Sequence, residues 1–268
     1  MLLDVEALPK AGRDPWRVLR YLIRTPMLLV HLLINLPITV ALINPLSKRI
    51  MLGSDSLNNW VIRWWSWGLA RVFGFRLKRF GTAYPGACLT VSNHASWLDI
   101  EMVHAMRVVH FVAKSEISRW PLVGWLARRA GTIYHQRGSS ESLSSVSELM
   151  VQRLRQGHAV AVFPEGGTKP TLRVRTFHAR IFQAARDAGV VVQPVALNFL
   201  RAGKPDPSVC FRDHENFLQN FLRLLGDPPR RAEVHFLPAI EDQGGGRREL
   251  SDAARHAIMH ALGQQHLI

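Results

Sequence analysis

Hydrophobic and polar positions divide the chain into three regimes. From Thr25 to Ser47 the 23 residues TPMLLVHLLINLPITVALINPLS carry no charge. As a helix they would reach about 34 Å, enough to cross a bilayer core. His31, Asn35, Pro37 and Asn44 interrupt the run, and polar groups and an internal proline are costly in lipid. Arg17, Arg20 and Arg24 precede it and Lys48 and Arg49 follow it, so charge asymmetry assigns no orientation. The pattern predicts a re-entrant or surface-lying segment. It begins too late, and lacks a small-residue cleavage site, for a secretory signal. The second regime, Trp60 to Phe75 (WVIRWWSWGLARVFGF), reads as a helix with Trp60, Trp64, Trp67 and Arg71 on one side and Arg63 close by. Tryptophan favours the membrane–water boundary, where its ring is apolar and its N–H finds a polar partner. A core-packing helix is the plainer alternative. Four tryptophans in eight residues directly after an apolar run favour a membrane-seated helical pair within residues 1–75.

From about Arg76 the pattern alternates between strand and helix. Strands are expected at Ala87–Ser92, Val108–Ala113, Thr132–Gln136, Ala159–Phe163, Val190–Phe199 and Glu233–Ile240. Helices are expected at Ser96–Ala105, Leu122–Ala130, Glu141–Gln156, Phe177–Ala188, Asn216–Leu225 and Arg247–Leu262, with surface turns at Gly203–Ser208 and Gln243–Gly246. Residues 76–268 therefore read as an α/β domain with a helix-covered sheet.

Composition narrows the partners without choosing one. The 268 residues are 47% hydrophobic, which excludes extensive disorder. Two cysteines, Cys88 and Cys210, are too few for a disulfide framework. The remaining histidines, His104, His110, His158 and His178 among them, form no metal-ligand spacing. Lys and Arg outnumber Asp and Glu by 34 to 20, a net charge of +14. That excess calls for an anionic partner: nucleic acid, an anionic membrane or a phosphorylated substrate.

Three stretches carry candidate chemistry, each just past a predicted strand. In Ser92-Asn93-His94-Ala95-Ser96-Trp97-Leu98-Asp99, Ser96 as a helix cap would make Asp99 the third helical residue, pointing back toward the loop with His94. On one continuous helix, residues five apart diverge by about 140°, so the pair meets only across a loop–helix junction. There Asp99 can accept one imidazole N–H and leave the other nitrogen as a base. A capping box beside an incidental histidine is the competing reading. Phe163-Pro164-Glu165-Gly166-Gly167-Thr168-Lys169 offers a sharp turn for close backbone approach, or an ordinary strand exit with Glu165 unexplained. Gly131-Thr132-Ile133-Tyr134-His135-Gln136-Arg137 puts Arg137 at a strand exit, suited to phosphate capture, though a lone arginine is also ordinary surface. All three fall where open α/β sheets place ligands.

Asn93-His94-x4-Asp99, the strand ending in Arg137, Phe163-Pro164-Glu165-Gly166 and Val192-Gln193-Pro194-Val195 resemble the four ordered blocks of the glycerolipid acyltransferases, above all the PlsC-type 1-acyl-sn-glycerol-3-phosphate acyltransferases. The similarity runs from about Trp60 to Ile240 and includes FVAKSEISRWPLVGWLARRAGTI and FLQNFLRLLGDPPR. It implies a mixed, mostly parallel sheet flanked by helices and an O-acyltransferase that makes phosphatidate from 1-acyl-sn-glycerol-3-phosphate. His94 would be the general base, oriented by Asp99, with no acyl-enzyme. Arg137, Glu165, Gly166 and Thr168 would bind the acceptor, with Lys114 as a further phosphate contact. No cofactor is implied; an acyl carrier protein or coenzyme A thioester is the co-substrate. The enzyme would sit on the cytoplasmic face of the inner membrane, peripheral or monotopic, among anionic lipids. Three departures stand out: Gly167 before Thr168 where Glu-Gly-Thr is usual, Phe177-His178 where Phe-Lys is usual, and the less apolar Tyr134-His135. They leave another acceptor, such as lyso-ornithine lipid, as the alternative. A basic nucleic-acid-binding protein is the distant rival, disfavoured by tryptophans lying in an apolar run, and a catalytically silent membrane protein of the same fold is a third.

Overall fold

The computed structural model describes residues 14–53, 55–119, 123–135 and 140–265. Helix α1 (Arg17–Val30) continues through a π-helical turn at His31–Asn35 into α2 (Leu36–Leu42). The Leu36 N–H reaches back five residues to His31 O, one turn of wider helix that leads into Pro37. The whole segment, Arg17–Leu42, is 26 residues and is long and apolar enough to cross a membrane. Arg24, His31 and Thr39 turn inward. His31 is buried and stacks on Trp65 at 4.0 Å between ring centroids, with Trp65 carried by α3 (Leu57–Val72). A Cβ on Gly68 would lie 2.9 Å from the His31 ring, so only glycine allows this approach. Leu19, Leu22, Ile23, Met27, Leu33 and Ile34 face outward. On α3, Trp60 and Trp67 are also exposed; Trp60 stacks on Trp64, and Arg71 lies over Trp67.

The foot of α1 is tied to the end of α8 (Phe217–Gly226). Arg24 donates to Leu225 O at 2.9 Å and Asp227 O at 2.7 Å, Arg20 to Gly226 O at 3.0 Å, and Tyr21 to Leu222 O at 2.8 Å. These carbonyls belong to the last turn of a helix, which lacks its own donors and is the negative end of its dipole. Arg24→Met should therefore cost about 1–3 kcal/mol, read as a lower urea midpoint together with faster proteolysis between α2 and α3.

Among the described residues eight strands form the main sheet: β1 (Phe75–Phe80), β2 (Cys88–Ser92), β3 (His110–Lys114), β4 (Ile133–His135), β5 (Val160–Val162), β6 (Val191–Arg201), β7 (Lys204–Pro205) and β8 (Arg230–Phe236). Their order is β1-β8-β6-β2-β5-β3-β4, with β7 folded back on β6. Pairings are parallel except β8 with β6 and β7 with β6. The sheet is thus mixed and mostly parallel, as expected. Each face has its own core. Phe73, Phe75, Leu98, Met102 and Phe199 pack on one side; Leu89, Val91, Leu154, Phe182 and Ile258 pack on the other. The remaining helices are α4 (Leu98–Met106), α5 (Val123–Arg129), α6 (Ser140–Arg155), α7 (Gln183–Ala188) and α9 (Gly246–Ala261).

Several expected boundaries move. The tryptophan helix starts earlier, at Leu57, because Ser56 Oγ accepts the Asn59 N–H at its start, and Phe75 opens β1 instead of closing the helix. The strand expected at Glu233–Ile240 is Arg230–Phe236: the buried Arg230 begins it, and Pro238, with no N–H to give, follows its end. The helix expected from Phe177 begins as a 3-10 turn at Ala179–Phe182. Within the expected turn Gly203–Ser208, Lys204–Pro205 pairs as β7. Gln136 and Leu122, expected at element ends, lie outside the described residues.

Candidate active site

The parallel strands β2, β5, β3 and β4 all finish on one edge of the sheet, and the candidate residues follow those ends. Asn93 extends the ladder beyond β2 with its side chain: Nδ2 donates to Leu197 O at 2.9 Å, and Oδ1 accepts the Leu197 N–H at 2.8 Å. This pins the backbone immediately before His94. Helix α4 begins at Leu98, later than expected, after a turn closed by Asp99 N–H to Ser96 O. Ser96 is therefore not the cap, and Asp99 is the second helical residue.

From there the fully buried Asp99 carboxylate points back. Its Oδ2 accepts the Ala95 N–H at 2.7 Å, the Ser96 N–H at 2.9 Å and His94 Nδ1 at 2.8 Å. An oxygen already accepting two amides meets the imidazole as a third acceptor contact, so Nδ1 is the donor, and in the neutral ring the free lone pair is then on Nε2. The His94 ring lies flat on Phe163, centroids 3.9 Å apart and planes within 9°. Its side chain is 15% exposed, so the nitrogen is reachable while the ring is held. The capping-box reading fails in its detail: Asp99 serves the histidine and the turn together.

Glu165 sits behind His94 and not beside open solvent; it is 5% exposed. Oε1 accepts the His94 backbone N–H at 3.2 Å, and Oε2 accepts Arg175 Nε–H at 2.9 Å. Arg175 also donates to Gly167 O, and its own carbonyl accepts from Arg255 on α9 at 3.0 Å. Burial pushes the Glu165 carboxyl above its ordinary range, while Arg175 and the His94 amide pull it back. Gly166 and Gly167 both take positive φ, 77° and 145°, which a side chain would resist. A Cβ at Gly166 would lie 3.0 Å from His178 Nε2.

His94, Asp99 and Glu165 are thus joined directly. Gly166 and Thr168 follow on the same loop, with Thr168 half-buried. Lys114 is exposed at the end of β3, two strands away on the same edge, opposite His135 of β4. Arg137 lies outside the described residues. Reading the sequence did not find Arg175, ten positions from its partner and without a motif of its own, nor the support from Phe163 and Asn93, although both stand inside the quoted blocks. Among the described residues no three His, Cys, Asp or Glu side chains gather as metal ligands. The arrangement offers one held, accessible imidazole nitrogen able to take a proton from a nearby hydroxyl.

Comparison with known proteins gives concordant likenesses. A family model described as Acyltransferase matches residues 76–198. A lyso-ornithine lipid O-acyltransferase of Pseudomonas aeruginosa is 36% identical over 246 residues, covering 91% of this chain and 94% of that protein. A 1-acyl-sn-glycerol-3-phosphate acyltransferase of Neisseria gonorrhoeae is 36% identical over 126 residues, 47% of this chain and 49% of that protein. The crystal structure of the 1-acyl-sn-glycerophosphate acyltransferase PlsC of Thermotoga maritima superposes with a TM-score of 0.67 at 15% identity, covering 94% of this chain and 98% of that one.

Proposed function

The chain belongs to the PlsC-type acyltransferase family, and from that premise we propose that it transfers a fatty acyl group from a thioester to the hydroxyl of a lyso-ornithine lipid. The observation that carries the chemistry is the His94 Nδ1–Asp99 bond, which leaves Nε2 as the base. In this reading Nε2 takes the acceptor's hydroxyl proton as the oxygen attacks the thioester carbonyl. A C–O bond forms, the C–S bond breaks, and the imidazolium returns its proton to the departing thiolate. Asp99 stabilises the transient imidazolium, and no acyl-enzyme intervenes. Lys114, Arg137, Gly166 and Thr168 are assigned to the acceptor headgroup. Both Glu165 oxygens are already engaged within the protein, so Glu165 is assigned to holding the His94 turn.

The acceptor assignment rests on near full-length similarity to the Pseudomonas aeruginosa enzyme and on one physical point. Lysophosphatidate presents a phosphate monoester, whereas an ornithine headgroup balances a carboxylate with an ammonium. A site with His178 where the family often carries lysine has less cationic charge to offer a dianion. Lysophosphatidate is the second reading, supported by the Neisseria gonorrhoeae relative. The exposed apolar face of α1 and α2 and the tryptophans of α3 are assigned to the cytoplasmic leaflet of the inner membrane, with coenzyme A or acyl carrier protein as thiol. In mixed micelles with either donor, kcat/KM for lyso-ornithine lipid should exceed that for lysophosphatidate by roughly tenfold, about 1.4 kcal/mol of transition-state preference. The reverse ratio would restore lysophosphatidate as the acceptor.

A further inference from the structure

A cavity of about 280 Å³ opens where β1 and β8 begin and β6 ends, and arginines supply half of its lining residues. They are Arg76 of β1, Arg201 of β6, and Arg230 and Arg231 of β8; Ala202 and Gly203, both at positive φ, close the wall as the β6–β7 turn. Arg231 lies opposite Arg76 and Leu200 in the ladder, so the register brings these charges together.

The central member is built in. The Arg230 side chain is 1% exposed. Its Nη2 donates to Asp227 at 3.0 Å, its Nε lies 3.4 Å from Asp206, and its guanidinium sits over Phe75. Its Nη1 is buried and has no hydrogen-bond partner among the described residues. Arg201 is held by Ser208 and Asp206, each at 2.8 Å, and Arg231 lies 3.5 Å from Glu233. Asp206, Asp227 and Glu233 do not line the cavity; they anchor the guanidinium groups of Arg201, Arg230 and Arg231. Arg76 is exposed and has no ion pair among the described residues. Burial disfavours the Arg230 charge and Arg201 adds to that, with Asp206 and Asp227 opposing them. A buried N–H donor left open costs free energy unless something accepts from it.

We propose that this cavity binds a phosphate-ester group. Four arginines lining one cavity match a multi-oxygen dianion better than a single carboxylate. The cavity is separate from the His94 site. Leu197, which Asn93 grips, lies four residues before Arg201 along β6, about 13 Å at strand rise. It also adjoins the foot of α1, where Arg24 feels the charge of Arg230. Two molecules can bring a phosphate ester here: a phospholipid in the membrane that α1 faces, or the pantetheine thioester donor.

The first test is calorimetric titration of inorganic phosphate into the detergent-solubilised full chain. Saturable binding is expected, weakened about tenfold or more in the Arg76→Gln/Arg231→Gln double variant, whose side chains are exposed enough to spare the fold. No saturable binding by the parent, or equal binding by the double variant, overturns the proposal. Competition by 4′-phosphopantetheine but not pantetheine identifies the donor. Loss, in the double variant, of binding to phosphatidylcholine vesicles containing phosphatidylglycerol, without that competition, identifies the lipid. If neither occurs, the cavity takes free phosphate alone and the ester assignment falls. None of these readouts needs turnover, so their failure is independent of the acyl-transfer assignment, which His94→Ala tests.

Discussion

His94→Ala should lower kcat by about 10²–10⁴-fold, the usual contribution of a positioned general base, with little change in KM or in the unfolding midpoint. The ring stacks on Phe163 and bonds Asp99 through Nδ1. Removing it leaves the Asn93 clamp and the two amide bonds to Asp99 in place. Asp99→Asn should behave differently. An amide oxygen in the place of Oδ2 can still accept from Ala95, Ser96 and His94 Nδ1, but the neutral side chain no longer stabilises the imidazolium, and its amide nitrogen takes the place of Oδ1, which is buried with no partner among the described residues. Comparable loss of kcat is therefore expected, with a measurable loss of stability because Asp99 is buried. Single-turnover acyl transfer, read by mass spectrometry of the lipid product, measures both. Parent-like turnover by His94→Ala would remove His94 from the chemistry.

Arg175→Met should lower kcat roughly ten- to a hundredfold, the equivalent of about 1.5–3 kcal/mol for a charge-assisted bond, and its stability loss should depend on pH in a defined sense. Burial raises the Glu165 carboxyl above its ordinary value, and Arg175 opposes that shift. Without Arg175 the folded-state value rises further. A carboxyl raised by folding leaves stability intact below its unfolded value and subtracts from it as pH climbs through the folded value. The gap between parent and variant should thus be small near pH 4 and widen toward neutrality, as urea titrations at several pH values would register. Arg175→Lys keeps the charge but not the bond geometry, so it should narrow the pH-dependent gap while recovering only part of kcat. A gap that does not change with pH would show that Arg175 does not govern Glu165.

Local chemistry made much of this legible in the sequence. The strands β2, β5 and β6 are apolar runs bounded by turn residues, and each was placed within two residues of its ends. The pairing of His94 with Asp99 stood beside a capping-box reading and was open only across a loop–helix junction, and the structure has one. What was not legible depends on distant partners. Arg230 reads as a surface residue until Asp206 and Asp227 are seen beside it, so the start of β8 was displaced. Phe75–Phe80 mixes charged and apolar residues (FRLKRF) just past a tryptophan-rich helix, its alternation broken at Lys78-Arg79, and only its parallel pairing with β8 declares it a strand. Ser96 looked like a cap because Asp99 follows it by three. A carboxylate that folds back to take those amide protons itself leaves the same sequence signature.

The polar residues inside the apolar N-terminal run act as a rotational key. His31 is seated on Trp65 over Gly68, and Thr39 is buried further along. Turning the helix by one residue, about 100°, would swing His31 off its seat and carry the outward Val30 into the gap. The azimuth of the segment is therefore set by its few hydrophilic side chains, and which hydrocarbon side chains look outward follows from it.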